Sequence, residues 1–230
     1  MVGPLAYLGG KNRIAQKIIS LIPEHTAYIE PFCGGAQVFF QTSLVVDQGS
    51  GSMEVVLGTV NSQGADVRFY KSYKLGTREL VKMLRSAGGF DGLRDALVKR
   101  FSEYEPLPEQ PVGRPIVLGS AVTRLAWLTV DRKLFTQYDP RQVQGRLVRL
   151  SQLDILVNIA KQDPAKARRM VQPQSPYDSE FDTVMSGLIA LEVFLRRERK
   201  SEFVVCCDGT RYGLAWNLAL REELQNRVGA

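Results

Sequence analysis

Chemistry in this chain would have to come from a few short stretches. "SPYDSEF", residues 175–181, sets a Pro176–Tyr177 pair before acidic and small polar residues and Phe181, the composition of a working-site loop. Gly34 and Gly35 in "CGGAQ" make either a tight turn or a turn that lets a cofactor approach the backbone, and the pair alone does not separate the two. Arg124, Arg132 and Lys133 suit phosphate contacts and a solvated face equally well. Arg196, Arg197, Arg199 and Lys200 close a helix, where cations favour the dipole without any nucleic acid. His25 is the sole histidine, so no two-histidine metal site can form and no metal is expected.

The elements that must position these residues belong to a chain of 230 residues, 44% hydrophobic and 23% charged, enough for one core or a core with an inserted lobe. The net charge of +6 suits a polyanionic partner without requiring one. Cys33, Cys206 and Cys207 form no disulfide framework, which points to a reducing compartment. No basic-then-apolar leader is visible, and no apolar run nears the roughly 18 residues of a membrane span. A cytoplasmic monomer without membrane contact is the expectation.

"KNRIAQKIISLIP" has helical spacing, and "TAYIEPF" reads as a strand entering the glycines. "MEVVLGTV" is a second strand, and "EVVLGTVNSQGADVRFY" is taken as strand then helix. "TRELVKMLRS", capped by Thr77, and "FDGLRDALVKRF" are helices, followed by a proline-rich connector, "EPLPEQPVGRP". "SAVTRLAWLTV" and "RQVQGRLVRLSQL" read as helices, the second with Val143, Leu147, Leu150 and Leu153 aligned. "DILVNI" reads as a strand, "FDTVMSGLIALEVFLRRE" as a long amphipathic helix and "EFVVCC" as a buried strand. Strands gather at the two ends, which suggests an α/β core interrupted by helices.

Taken in order, these residues resemble the Dam-like family of DNA adenine-N6 methyltransferases. "PLAYLGGKNRI" is similar to the family's opening segment through Pro4, Tyr7, Gly9, Gly10 and Lys11. "YIEPFCGGAQVFF" matches its Glu-Pro-Phe and glycine turn through Glu30, Pro31, Phe32, Gly34 and Gly35. "SPYDSEF" resembles the end of its catalytic Asp-Pro-Pro-Tyr motif and the residues just after it. The resemblance implies an α/β, Rossmann-like methyltransferase core (1–64 and 139–230) with an inserted, mainly helical DNA-recognition lobe (65–138). It implies methyl transfer from S-adenosylmethionine to an adenine flipped out of double-stranded DNA. The cofactor would lie against Tyr7, Gly10, Lys11, Glu30, Phe32, Gly34, Gly35 and Thr59, with DNA on Arg124, Arg132 and Lys133. Gln174, Ser175, Pro176 and Tyr177 would be the catalytic set, the tyrosine ring stacking on the flipped base.

The sequence departs from the family where charge matters. The catalytic aspartate aligns with Gln174 and the first proline with Ser175; the ribose-binding acid aligns with Thr59 and the adenine-binding one with Ile159. Pro173 falls where a central strand needs a ladder donor. Of the nearby acids, Asp178 is the best stand-in because it adjoins Tyr177; Asp47, Asp66, Asp154 and Asp163 also lie near the three sites. Each lost charged hydrogen bond costs about 1.5–3 kcal/mol. The alternative expectation is a catalytically impaired homologue that acts as a DNA-binding or scaffold protein.

Overall fold

The computed structural model describes residues 43–61, 64–109, 111, 113–130, 139–171 and 178–208. Two short polar turns shape the first part. β1 (Ser43–Gln48) and β2 (Met53–Asn61) flank "GSGS", and β2 and β3 (Gly64–Tyr73) flank a second turn, giving an antiparallel meander. β1 alternates inward Leu44, Val46 and Gln48 with half-buried Ser43, Val45 and Asp47. That period of two is what a one-faced strand requires.

Helices α1 (Thr77–Ser86) and α2 (Phe90–Ser102) follow, then the short strand β4 (Ile116–Leu118) and helix α3 (Ser120–Trp127). A 3-10 turn at Pro140–Val143 leads into β5 (Leu147–Arg149), α4 (Leu150–Gln162), α5 (Pro164–Val171), α6 (Asp178–Arg197) and β6 (Glu202–Cys206). Among the described residues the six strands form one mixed sheet in the order β3-β2-β1-β4-β6-β5. β1, β4 and β6 run parallel, while β2, β3 and β5 run antiparallel to their neighbours.

The core sits between this sheet and α6, which is buried from Val184 through Leu195. Leu80 and Leu84 of α1 and Leu93, Leu97 and Phe101 of α2 join it. Inside this apolar mass Glu192 is 2% exposed, and Arg94 and Arg196 both donate to its carboxylate, at 2.8 and 2.9 Å. A buried carboxylate persists only when paired in this way.

Several expectations are corrected here. The Rossmann-like core is replaced by a meander: after β1 a four-residue turn leads straight into antiparallel β2, leaving no room for the crossover helix that a parallel neighbour needs. "GADVRFYKSY" is strand β3 rather than a helix. "DILVNI" lies within α4, because its apolar residues continue a helical series: Leu150, Leu153, Leu156, Val157 and Ala160 are the buried ones. "RQVQGRLVRLSQL" divides into the 3-10 turn, β5 and the start of α4, broken at Gly145, whose φ of +73° a side chain would rarely adopt. The N-cap of α1 is Gly76, and Thr77 is its first helical residue. The described residues within 65–138, the span expected as an inserted helical lobe, hold most of β3, all of β4 and helices α1, α2 and α3.

Candidate functional site

Because β1, β4 and β6 are parallel, their carboxyl ends lie along one edge of the sheet. Ligands of open α/β sheets gather at such an edge. Here it carries the β1–β2 hairpin (49–52), Gly119 ahead of α3, and Cys206 to Asp208. The strand register sets Ser72, Glu54, Asp47, Leu118 and Cys206 in one row across five strands just behind it.

The hairpin is fastened from below by α1. Thr77 N–H donates to the Gly49 carbonyl and Arg78 N–H to the Ser50 carbonyl, both at 3.1 Å. Helix amides that would otherwise be orphaned are thus satisfied by the loop. Contact is so close that a Cβ on Gly76 would lie 2.2 Å from the Gly51 carbonyl carbon. Gly49 N–H closes the turn onto the Ser52 carbonyl at 3.0 Å. With the loop carbonyls turned to α1, the N–H groups of Ser50, Gly51 and Ser52 have no partner among the described residues. Ser50 and Gly51 are exposed. Successive backbone amides left without a protein partner in a turn are groups to which an anion can bind.

Gln48 closes β1 on the inner face, 5% exposed. Its Nε2 donates to the Leu75 carbonyl at 3.0 Å, while its buried Oε1 has no partner among the described residues. An orphaned buried acceptor costs about 1–3 kcal/mol. On the opposite face Asp47 and Glu54 stand directly across from each other, and Glu54 accepts from the Ser72 hydroxyl at 2.8 Å. Like charges in that relation are destabilising. At the β6 end, Cys207 N–H donates to Gln144 Oε1. Burial, with the nearby charges of Cys206 and Asp208, pushes the Cys207 thiol up to about 11. Among the described residues no group of three His, Cys, Asp or Glu could hold a metal ion.

The residues expected from the sequence fall elsewhere. Tyr7, Gly10, Lys11, Glu30, Phe32, Gly34, Gly35, Arg132, Lys133, Gln174, Ser175, Pro176 and Tyr177 lie outside the described residues. Thr59 sits in β2 opposite Asp66 of β3, at the far end of the strand from the hairpin. Ile159 lies in α4 and packs against the core. Arg124 donates to the Val171 carbonyl at 3.0 Å and pairs with Glu180, so its guanidinium bridges α5 and α6. Sequence reasoning passed over Gln48, the hairpin and Glu54, although "QGSGS" between two alternating apolar runs is a hairpin signal.

The family model of D12 class N6 adenine-specific DNA methyltransferases matches residues 7–49 of this chain. No curated protein matches it. Solved structures place the fold elsewhere. A Ppx/GppA family member from Aquifex aeolicus is 24% identical, with a TM-score of 0.59 over 80% of this chain and 57% of that one. The type II variant of the Aquifex aeolicus Ppx/GppA phosphatase is 23% identical, with a TM-score of 0.60 over 88% and 59%. An exopolyphosphatase-like protein is 17% identical, with a TM-score of 0.56 over 73% and 55%. The chain therefore spans between 55% and 59% of the length of these structures. At such identities the likeness is one of fold, the actin-like fold, with its meander and two further parallel strands. It overturns the expected methyltransferase core and, with it, the adenine-methylating activity and its DNA-methylation setting. Among the described residues no helix is long and apolar enough to cross a membrane.

Proposed function

We propose that this chain binds the phosphate chain of a phosphoanhydride at the β1–β2 hairpin and is the phosphate-holding part of a phosphatase-like protein. The observation that carries the reading is the Gly-Ser hairpin, whose Ser50, Gly51 and Ser52 amides have no partner among the described residues, following directly on the cross-strand pair Asp47 and Glu54. Phosphate oxygens accept from the amides and serine hydroxyls. Arg78, tied to Ser50 through its backbone, brings a guanidinium to the same end of α1. Either carboxylate, when ionised, can serve as the base that draws a proton from an attacking water. Hydrolysis would then break the bridging P–O bond and release orthophosphate. The neighbours named as phosphatases or exopolyphosphatase-like support this substrate class. A cytoplasmic setting, which keeps the thiols of Cys206 and Cys207 reduced, belongs to the same reading.

The test is a tripolyphosphate titration of 15N-labelled protein. Shifts concentrated at Ser50, Gly51 and Ser52, weakened by Arg78→Gln and by raised salt, are expected. Shifts spread over unrelated lysines would refute the reading. S-adenosylmethionine and duplex DNA rest only on the match over residues 7–49, and adding each to the same sample checks them. If they bind through that segment, the hairpin amides stay in place.

A further inference from the structure

We infer that Gln48 is the positioning residue of this hairpin, coupling the row of anion-binding amides to the start of α1. The inference rests on the phosphate-binding reading. Gln48 occupies an inward position of β1 whose companions, Leu44 and Val46, are 1% and 0% exposed. An apolar side chain there would leave no orphaned oxygen, yet the glutamine keeps a buried Oε1 that has no partner among the described residues. What the amide contributes is its donor. Nε2 reaches the Leu75 carbonyl, which directly precedes the Gly76 cap of α1. Its longer contact to the Gly49 carbonyl, 3.4 Å, touches the first residue of the loop. One side chain thus spans the loop and the residue before the helix.

The surroundings are cut to fit it. At Gly187 of α6 an added Cβ would meet Thr77 Cγ2 at 3.2 Å, Ala121 Cβ at 3.6 Å and Gln48 Cγ at 3.7 Å. At Gly119 an added Cβ would lie 2.8 Å from the Gln48 carbonyl oxygen. Glycine and alanine from α3 and α6 therefore leave the volume that the glutamine fills. Without its donor the loop would hang on the two backbone bonds from Thr77 and Arg78, at the end of a helix where fraying is easiest.

Gln48→Met removes both polar atoms at nearly constant volume, and Gln48→Leu removes them with a shorter, branched side chain. Three quantities are read: thermal midpoint, amide exchange at Thr77 and Arg78, and tripolyphosphate affinity. For Gln48→Met the midpoint is expected to hold or rise, because the orphaned oxygen is gone. Exchange at Thr77 and Arg78 should quicken about tenfold and affinity fall about tenfold, the scale of one hydrogen bond. Gln48→Leu should loosen the same amides, so the test survives if the methionine variant folds poorly. Exchange unchanged at Thr77 and Arg78 in both variants would overturn the inference, as would affinity that falls only in step with global stability. Failure of the wild type to bind tripolyphosphate would sink the phosphate reading, while the exchange rates would still decide the brace.

Discussion

Gly76→Ala isolates the contact between the hairpin and α1. Gly76 has φ of −68°, which alanine adopts freely, so the substitution adds no backbone strain. It adds a methyl group 2.2 Å from the Gly51 carbonyl carbon, 2.4 Å from Ser52 N and 2.5 Å from Gly51 N. All three are backbone atoms, and none can swing aside. Restoring an ordinary 3.4 Å contact requires the hairpin and helix to part by about 1.2 Å at the closest atom. The bonds from Thr77 and Arg78, now 3.1 Å, would then pass beyond hydrogen-bonding range. Two such bonds and a poorer cap residue amount to roughly 2–3 kcal/mol. For a chain of this size, that lowers the thermal midpoint by roughly 4–12 °C. Gly51→Ala is the paired control, since a Cβ there meets nothing within 4 Å. Its midpoint should stay within about 1–2 °C of wild type, the span of an inconspicuous surface change. Scanning calorimetry of both variants, with tripolyphosphate affinity alongside, is the assay. Equal midpoints for the two variants would refute the close approach and the fastening built on it.

Cys207 should alkylate slowly at pH 8, its rate rising about tenfold per pH unit toward its pKa of about 11. Because that value is raised on folding, its share of stability is complete below the unfolded thiol range and lost as pH climbs through about 11; iodoacetamide kinetics and thermal midpoints between pH 8 and 11 check both. Burial also pushes the Glu198 carboxyl up, against the attraction of Arg197. Its contribution is therefore fullest below the unfolded carboxylate range and fades as pH rises, so the midpoint of Glu198→Gln should gain on wild type between pH 4 and 7. A constant gap would refute that environment. Arg94→Met should cost about 3 kcal/mol, the low end for a broken buried pair because Arg196 still meets Glu192. Adding Glu192→Leu should recover much of the loss in urea unfolding.

The helices were legible in the sequence where a long apolar stripe left little choice. α1, α2 and α6 follow from Leu80 and Leu84, from Leu93, Leu97 and Phe101, and from the unbroken buried run of "VMSGLIALEVFL". The sheet was harder, for two physical reasons. β4 and β5 have three residues each, too few for any periodicity, and are strands only because β1 and β6 supply their ladders. β3 carries Arg68, Lys71 and exposed Val67 and Tyr70, so its edge position blurs the alternation. The candidate site was missed because the motifs within residues 7–49 are specific but local, and their order was extended over the rest of the chain. The match ends at Gly49, inside the hairpin whose own signal was the glycines and serines beyond it. Thr59 shows the cost of that extension. Aligned as a ribose-binding position, it lies near the carboxyl end of β2, a strand that runs antiparallel to both its neighbours.

The placement of β1 also governs the order in which the chain can be assembled during synthesis. The meander β1–β2–β3 pairs within one short stretch and can close soon after it leaves the ribosome. The other edge of β1 waits for Ile116–Leu118, and the outer edge of β4 waits for Glu202–Cys206. Until β6 is made, the outer edge of β4 lacks the partner it has among the described strands, across the whole translation of α3 to α6. A chain arrested before residue 202 would thus be sticky rather than merely incomplete, and the stretch from 116 to 202 is where a holding chaperone would matter most.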